Sequence, residues 1–173
     1  MAVGWSRDGA AQGEGRIHMF TLDDLFDIAT KIEKNGESVY KNAIGKIKDH
    51  DLKSMLKWMA NEEASHARWF SDKKNSLHLE IEEIRLKKMV PQVFQEMMGD
   101  NTLGLEEIDF SEIKTVSHLL DTFIGFENDT IMFYELLETF INEEKTLDGL
   151  KNIILEEKNH IQKLESMKAS KML

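Results

Sequence analysis

The chain has 173 residues, enough for one sizeable domain, and its 41% apolar and 31% charged residues make a soluble globular balance. No apolar run is long enough to cross a bilayer, and a formal net charge of −10 argues against nucleic-acid backbones and anionic membranes while attracting cations. Cysteine is absent, which excludes disulfides, thiolate zinc sites, iron–sulfur clusters and a four-cysteine rubredoxin module from these residues; any metal must be held by oxygen and nitrogen, and a cytoplasmic location is the expectation.

A single proline and long stretches of three-and-four apolar spacing predict an all-α fold. Residues 1–18 contain four glycines and scattered polar residues without an apolar segment, so they read as a flexible tail and not as a secretory signal, with the folded domain over 19–173. A first helix begins after Thr21, an N-cap followed by Asp23 and Asp24 near the positive end of the helix dipole. Its inward stripe is Leu22, Leu25, Phe26, Ala29, Glu33, Gly36, Tyr40, Ala43 and Ile47. The polar cluster Asp49-His50-Asp51 turns the chain into a second helix that lasts to about Lys74. Residues 75–114 are least regular: Leu77, Ile81 and Ile84 mark a short amphipathic helix, and Pro91 suits the first turn of another, Gln92–Met98, stopped near Gly99. Thr115 caps a third long helix with Leu119, Leu120, Phe123, Glu127, Tyr134, Leu137 and Ile141 in its stripe. After a turn at Asn142–Thr146, a fourth helix sets Leu150, Ile153, Glu157, His160, Leu164 and Met167 on one face.

In the second helix the apolar stripe runs Leu52, Met55, Leu56, Met59 and Phe70, and Glu63 and His66 interrupt it. At i, i+3 these two side chains point the same way. A carboxylate facing a core is costly unless something positive meets it, and a metal ion is the compensator that the other stripes can complete. Glu33 lies roughly 15 residues before the Asp49–Asp51 turn and Glu63 roughly 13 after it, so an antiparallel hairpin rising about 1.5 Å per residue puts them at similar heights.

The two hairpins align at a constant offset of 94 residues. Apolar matches such as Leu25 with Leu119 follow from helical periodicity alone and weigh little. The polar ones weigh more: Glu33 with Glu127, Tyr40 with Tyr134, Glu63 with Glu157, His66 with His160. The only two tyrosines of the chain each stand seven residues after a stripe glutamate. Any one of these residues could be ordinary: a glutamate and histidine on a solvated face, a hydrogen-bonded core histidine, a packed tyrosine. Four carboxylates and two imidazoles recurring in stripes at duplicated spacing match the way helix bundles hold two metals. Four glutamates bring −4, two neutral histidines bring nothing, and two divalent ions cancel the sum; an oxygen and nitrogen set without sulfur suits iron or manganese, with zinc as an opportunist.

At these residues, over about 20–170, the sequence resembles the ferritin-like di-iron carboxylate proteins, and within them the rubrerythrin group. The resemblance implies a ferritin-like four-helix bundle of two repeated hairpins joined by a long crossover with short helices. It also implies Glu33 and Glu127 as terminal ligands, Glu63 and Glu157 as bridges between the metals, and His66 and His160 each on one metal. Tyr40 and Tyr134 would hydrogen-bond ligand carboxylates. Two departures stand out. Rubrerythrins carry a further glutamate three residues after the third-helix ligand, where this chain has Thr130, and the cysteine-rich rubredoxin module is missing.

The function expected on this reading is a di-metal, iron-first oxidoreductase acting on O2, hydrogen peroxide or Fe(II), with an external electron donor, in a homodimer. The alternatives are a non-enzymatic iron-sequestering protein and a bundle whose metals are only structural. Glu62 and Glu156 match across the repeat but fall beside the stripe, which assigns them to the helix surface. Glu37, one turn beyond Glu33, reads as a solvated residue before an acid behind a ligand or an alternative ligand, His18, His50, His78 and His118 as surface histidines, and the ten methionines as adaptable core. Trp58 and Trp69 flank the second-helix stripe, placed to pack under the crossover or at a dimer interface.

Overall fold

The computed structural model describes residues 22–76, 113 and 115–171. Within them the chain forms four helices and no strand: α1 Leu22–Lys46, α2 His50–Ser76, α3 Val116–Glu138 and α4 Glu144–Lys171. The tail, Thr21 and the predicted crossover helices lie outside the described residues. Short turns fold α1 back along α2 and α3 back along α4, and the hairpins meet through α1 against α3 and α2 against α4. The result is an all-α four-helix bundle built from two hairpins.

Local chemistry sets the helix ends. Asp49 accepts the amide of Leu52 at 2.9 Å and so caps α2. Thr115, extended at φ −135° and ψ 152°, accepts the amide of His118 and caps α3 as expected. The fourth helix starts inside the expected turn because Glu143 takes the amide of Thr146 at 2.7 Å and that of Lys145 at 3.2 Å. The third helix stops at Glu138, yet Ile141 beyond it remains buried and ends the stripe as predicted.

The repeat persists in the exposed ties that close each hairpin. Lys74 holds Asp27 at 2.5 and 2.6 Å, and at the same offset Lys168 holds Asp121 at 2.5 Å. Inside, aromatic residues fill both ends of the bundle. Phe26 and Phe70 meet edge-on at 5.9 Å with Tyr134 5.0 Å from Phe70, while Tyr40 and Phe123 meet edge-on at 4.9 Å. The polar residues of the four stripes lie between these packed ends.

Where α2 and α4 meet, Trp69 lies on Gly149, so close that a Cβ there would stand 2.4 Å from its ring. Gly125, mid-way along α3, would meet nothing within 4 Å. Gly149→Ala forces the indole to move, an overpacking cost of about 1–3 kcal/mol against a helix-propensity gain of about 1. Gly125→Ala should keep that gain and raise Tm. Thermal melts of the two variants check this; a Gly149→Ala protein as stable as Gly125→Ala would contradict the α2–α4 packing.

Candidate metal centre

Each helix sends its polar stripe residues to one place. From α1 comes Glu33, from α2 Glu63 and His66, from α3 Glu127, and from α4 Glu157 and His160; all six are 0–3% exposed. The i, i+3 spacing stacks glutamate over histidine on α2 and again on α4.

Two sets of ligand-type atoms converge, each within 4.8 Å of one another: Glu33, Glu63, His66 and Glu157, and Glu63, Glu127, Glu157 and His160. Glu63 and Glu157 belong to both. Nδ1 of His66 stands 2.9 Å from Glu157 Oε1 and 3.6 Å from Glu33 Oε2. Nδ1 of His160 stands 2.8 Å from Glu157 Oε2, 3.3 Å from Glu63 Oε1 and 3.6 Å from Glu127 Oε1. Close as they are, these atoms are not aimed at one another. Both Nδ1 atoms, both oxygens of Glu63 and of Glu157, and Oε2 of Glu33 and Glu127 lack an aligned hydrogen-bond partner. Ligands about 2.0–2.2 Å from a shared ion stand roughly 3–4 Å apart, as these do. The donor set therefore fits two metal ions.

The tyrosines act across the hairpins. Tyr40 of α1 donates its hydroxyl to Oε1 of Glu127 on α3, and Tyr134 of α3 donates to Oε1 of Glu33 on α1. Each bond uses one carboxylate oxygen and leaves Oε2 without a hydrogen-bond partner. Burial, with the glutamate charges beside them, holds both phenols well above their usual pKa, so they stay protonated donors.

The rubrerythrin family profile matches residues 24–168. The chain belongs to the rubrerythrin family. The fold agrees with a solved structure from Thermotoga maritima described as a ferritin-like diiron-carboxylate protein. That structure is 22% identical with a TM-score of 0.65, and the match covers 88% of this chain and 97% of that one. No curated protein matches the chain.

Three residues of this rubrerythrin-family bundle make contacts that helical spacing does not show. Glu156 is on the surface as expected, but its Oε2 takes Nε2 of His66 at 2.8 Å, so it is no bystander. Its match with Glu62 across the repeat was the available signal; helical spacing missed it because the bond runs from α4 to α2. Trp58 is half-buried and stands edge-on to His160 with centroids 5.0 Å apart, while Trp69 covers Gly149, so both indoles pack in the α2–α4 seam. Thr130 is fully buried one turn from Glu127, with its hydroxyl unpartnered. Glu37 takes the Lys41 ammonium, and His50 and His118 are exposed, as expected; His18 and His78 lie outside the described residues.

Without metal, the cluster of this rubrerythrin-family chain stores protons. Burial, then the charges of Glu157, Glu33 and Glu127, push Glu63 well above the usual carboxylate range. Burial and Glu157 raise Glu127 to about 8, against the pull of His160. Burial alone would lower the imidazoles, but neighbouring carboxylates outweigh it and lift His66 to about 12 and His160 to about 10. Glu157 is raised by burial but receives both imidazolium groups, which hold it at about 2. The neutral histidines of the charge arithmetic above thus describe only the metal-loaded cluster. Metal binding at these residues therefore releases protons from the raised carboxyls of Glu63 and Glu127 and from the raised imidazoles.

Four groups with raised folded-state values stabilise the metal-free fold most below their unfolded values, about 4.3 for Glu and 6.5 for His, and lose that contribution as pH rises through the folded ones. The depressed Glu157 contributes above its unfolded value and fails only towards pH 2. From about pH 5 to about pH 9 the metal-free protein should therefore weaken while metal binding tightens. The Tm difference between loaded and metal-free protein should widen across that window, as paired melts will show. A constant difference would contradict a buried proton-holding cluster.

Proposed function

We propose that this protein is a di-metal oxidoreductase, with iron the first choice among iron, manganese and zinc, acting on O2 or hydrogen peroxide. One observation carries the reading: eight buried carboxylate oxygens and imidazole nitrogens, four of them from residues common to both sets, gather without an aligned hydrogen-bond partner. On this reading Glu33 and His66 serve one metal, Glu127 and His160 the other, and Glu63 and Glu157 lie between them. Bound iron would supply the exchange of electrons with the oxidant.

The chain's own residues supply position and dryness. Tyr40 and Tyr134 hold the terminal carboxylates by one oxygen, so each offers its other oxygen in a fixed direction. Phe26, Phe70, Phe123 and the tyrosine rings exclude water from both ends, which limits substrates to molecules as small as oxygen or peroxide. Thr130 presents a neutral hydroxyl where the family pattern has a glutamate, so the same six protein groups should serve reduced and oxidised metals. With no cysteine-held iron in these residues, continued turnover needs an external electron donor.

Metal analysis of native protein, followed by rapid mixing of its ferrous form with O2 and separately with peroxide, tests the proposal. About two ions per chain are expected, with oxidation faster than that of free ferrous iron. Glu63→Ala or Glu157→Ala should lose both ions, because each residue serves both sets. Full occupancy without accelerated oxidation would leave sequestration as the better account, and absence of bound metal would end both.

Thr130→Glu adds a carboxylate one turn from Glu127 on the same face. Its oxidised-state absorption should depart from that of the wild type more than its reduced-state absorption does. Wild-type crystals in both redox states should show unmoved protein ligands; large carboxylate movement on oxidation would contradict the role given to Thr130.

A further inference from the structure

The six-residue cluster is nearly symmetric, but its surroundings are not. On one side, Nε2 of His66 meets Oε2 of Glu156 at 2.8 Å. A carboxylate accepts, so the hydrogen of the ring sits on Nε2 and the lone pair of the neutral ring is left on Nδ1, facing the cluster. On the other side, Nε2 of His160 is buried without any partner. The repeat makes Glu62 the counterpart of Glu156, yet its carboxylate gathers with Glu156 and His66, within 4.8 Å of both. Against His160 stands Trp58 instead, edge-on at 90°, with the Lys163 ammonium 4.5 Å over the indole. An indole offers a donor and no acceptor, so it packs His160 without fixing which nitrogen carries the hydrogen. The residue equivalent to Trp58 in the second half is the exposed Asn152, so nothing comparable covers His66 from α4.

We propose that the two metal positions are unequal and fill in order, the His66 position first, with Glu156 as its positioning residue, and the His160 position second. This rests on the reading of the cluster as a two-metal centre. A carboxylate behind a ligating imidazole fixes tautomer and ring orientation and makes the ligating nitrogen more basic; losing such a partner costs about 10–100-fold in metal affinity. His160 must adopt its binding tautomer unaided. The second ion also enters beside one that already shares Glu63 and Glu157, and the charges of the two ions repel across that short distance.

Cobalt(II) titration of the metal-free full chain, followed by calorimetry and visible absorption, separates the two steps. Wild-type protein should show two affinities. His160→Ala should keep the tighter step, and His66→Ala should lose it. Glu156→Gln, which retains an acceptor but no charge, should weaken the tighter step by about 10-fold, and Glu156→Ala by more, while the weaker step stays as in the wild type. A merely structural role for Glu156 would instead weaken both steps alike, which overturns the proposal. So would two bound ions with no effect of either Glu156 variant, or a tighter step that disappears with His160. Wild-type protein that binds no cobalt at any concentration would overturn the two-metal reading itself, whereas the other failures leave that reading standing.

Discussion

The centre of this bundle is buried away from solvent, and four glutamates and two histidines sit there. An ion moved out of water costs several kcal/mol even after the protein relaxes, so these groups must be neutralised by something other than solvent. Protons do it in part, by raising Glu63, Glu127 and both histidines above their ordinary values. Divalent cations would do it more completely, because they would also meet oxygens and nitrogens that lack an aligned hydrogen-bond partner. The packing of Phe26, Phe70 and Phe123 around the cluster is what makes the requirement absolute. An open cleft would let water meet the same carboxylates.

The same constraint ties the hairpins together. Each tyrosine follows its own helix's glutamate by seven residues, about 10 Å along the axis, too far to bond it. Tyr40 instead reaches Glu127 and Tyr134 reaches Glu33, so each hairpin orients a carboxylate belonging to the other. Neither hairpin contains a whole site. The ties inside each hairpin, Asp27 with Lys74 and Asp121 with Lys168, are exposed ion pairs that water screens. Docking the hairpins and assembling the centre are therefore one event, driven by buried contacts.

Much of this was legible in the residues alone. Glu63 and His66 betray themselves by breaking an apolar stripe, and the 94-residue offset pairs them with Glu157 and His160. The four helices and the Thr115 cap follow from periodicity and side-chain chemistry. Contacts between helices were harder to read. Helical spacing places Glu156 beside the stripe on the solvent side, which is correct, but it cannot show that α2 passes near enough for His66 to reach it. Trp58 is a similar case: its position on α2 was plain, whereas its place against His160 depends on how α2 and α4 cross. Proton uptake by crowded carboxylates was legible, but that of the histidines was not, for a related reason. A sum of formal charges treats each histidine alone, while burial beside carboxylates decides whether the ring holds a second proton.

The most direct test of the account is a crystal structure of the metal-loaded protein with anomalous diffraction recorded at the absorption edge of the bound metal. Two anomalous peaks should appear inside the bundle: one at Glu33 and His66, the other at Glu127 and His160, with Glu63 and Glu157 reaching both. Peaks confined to the surface, or a centre in which the six side chains bond only to one another and to water, would contradict it.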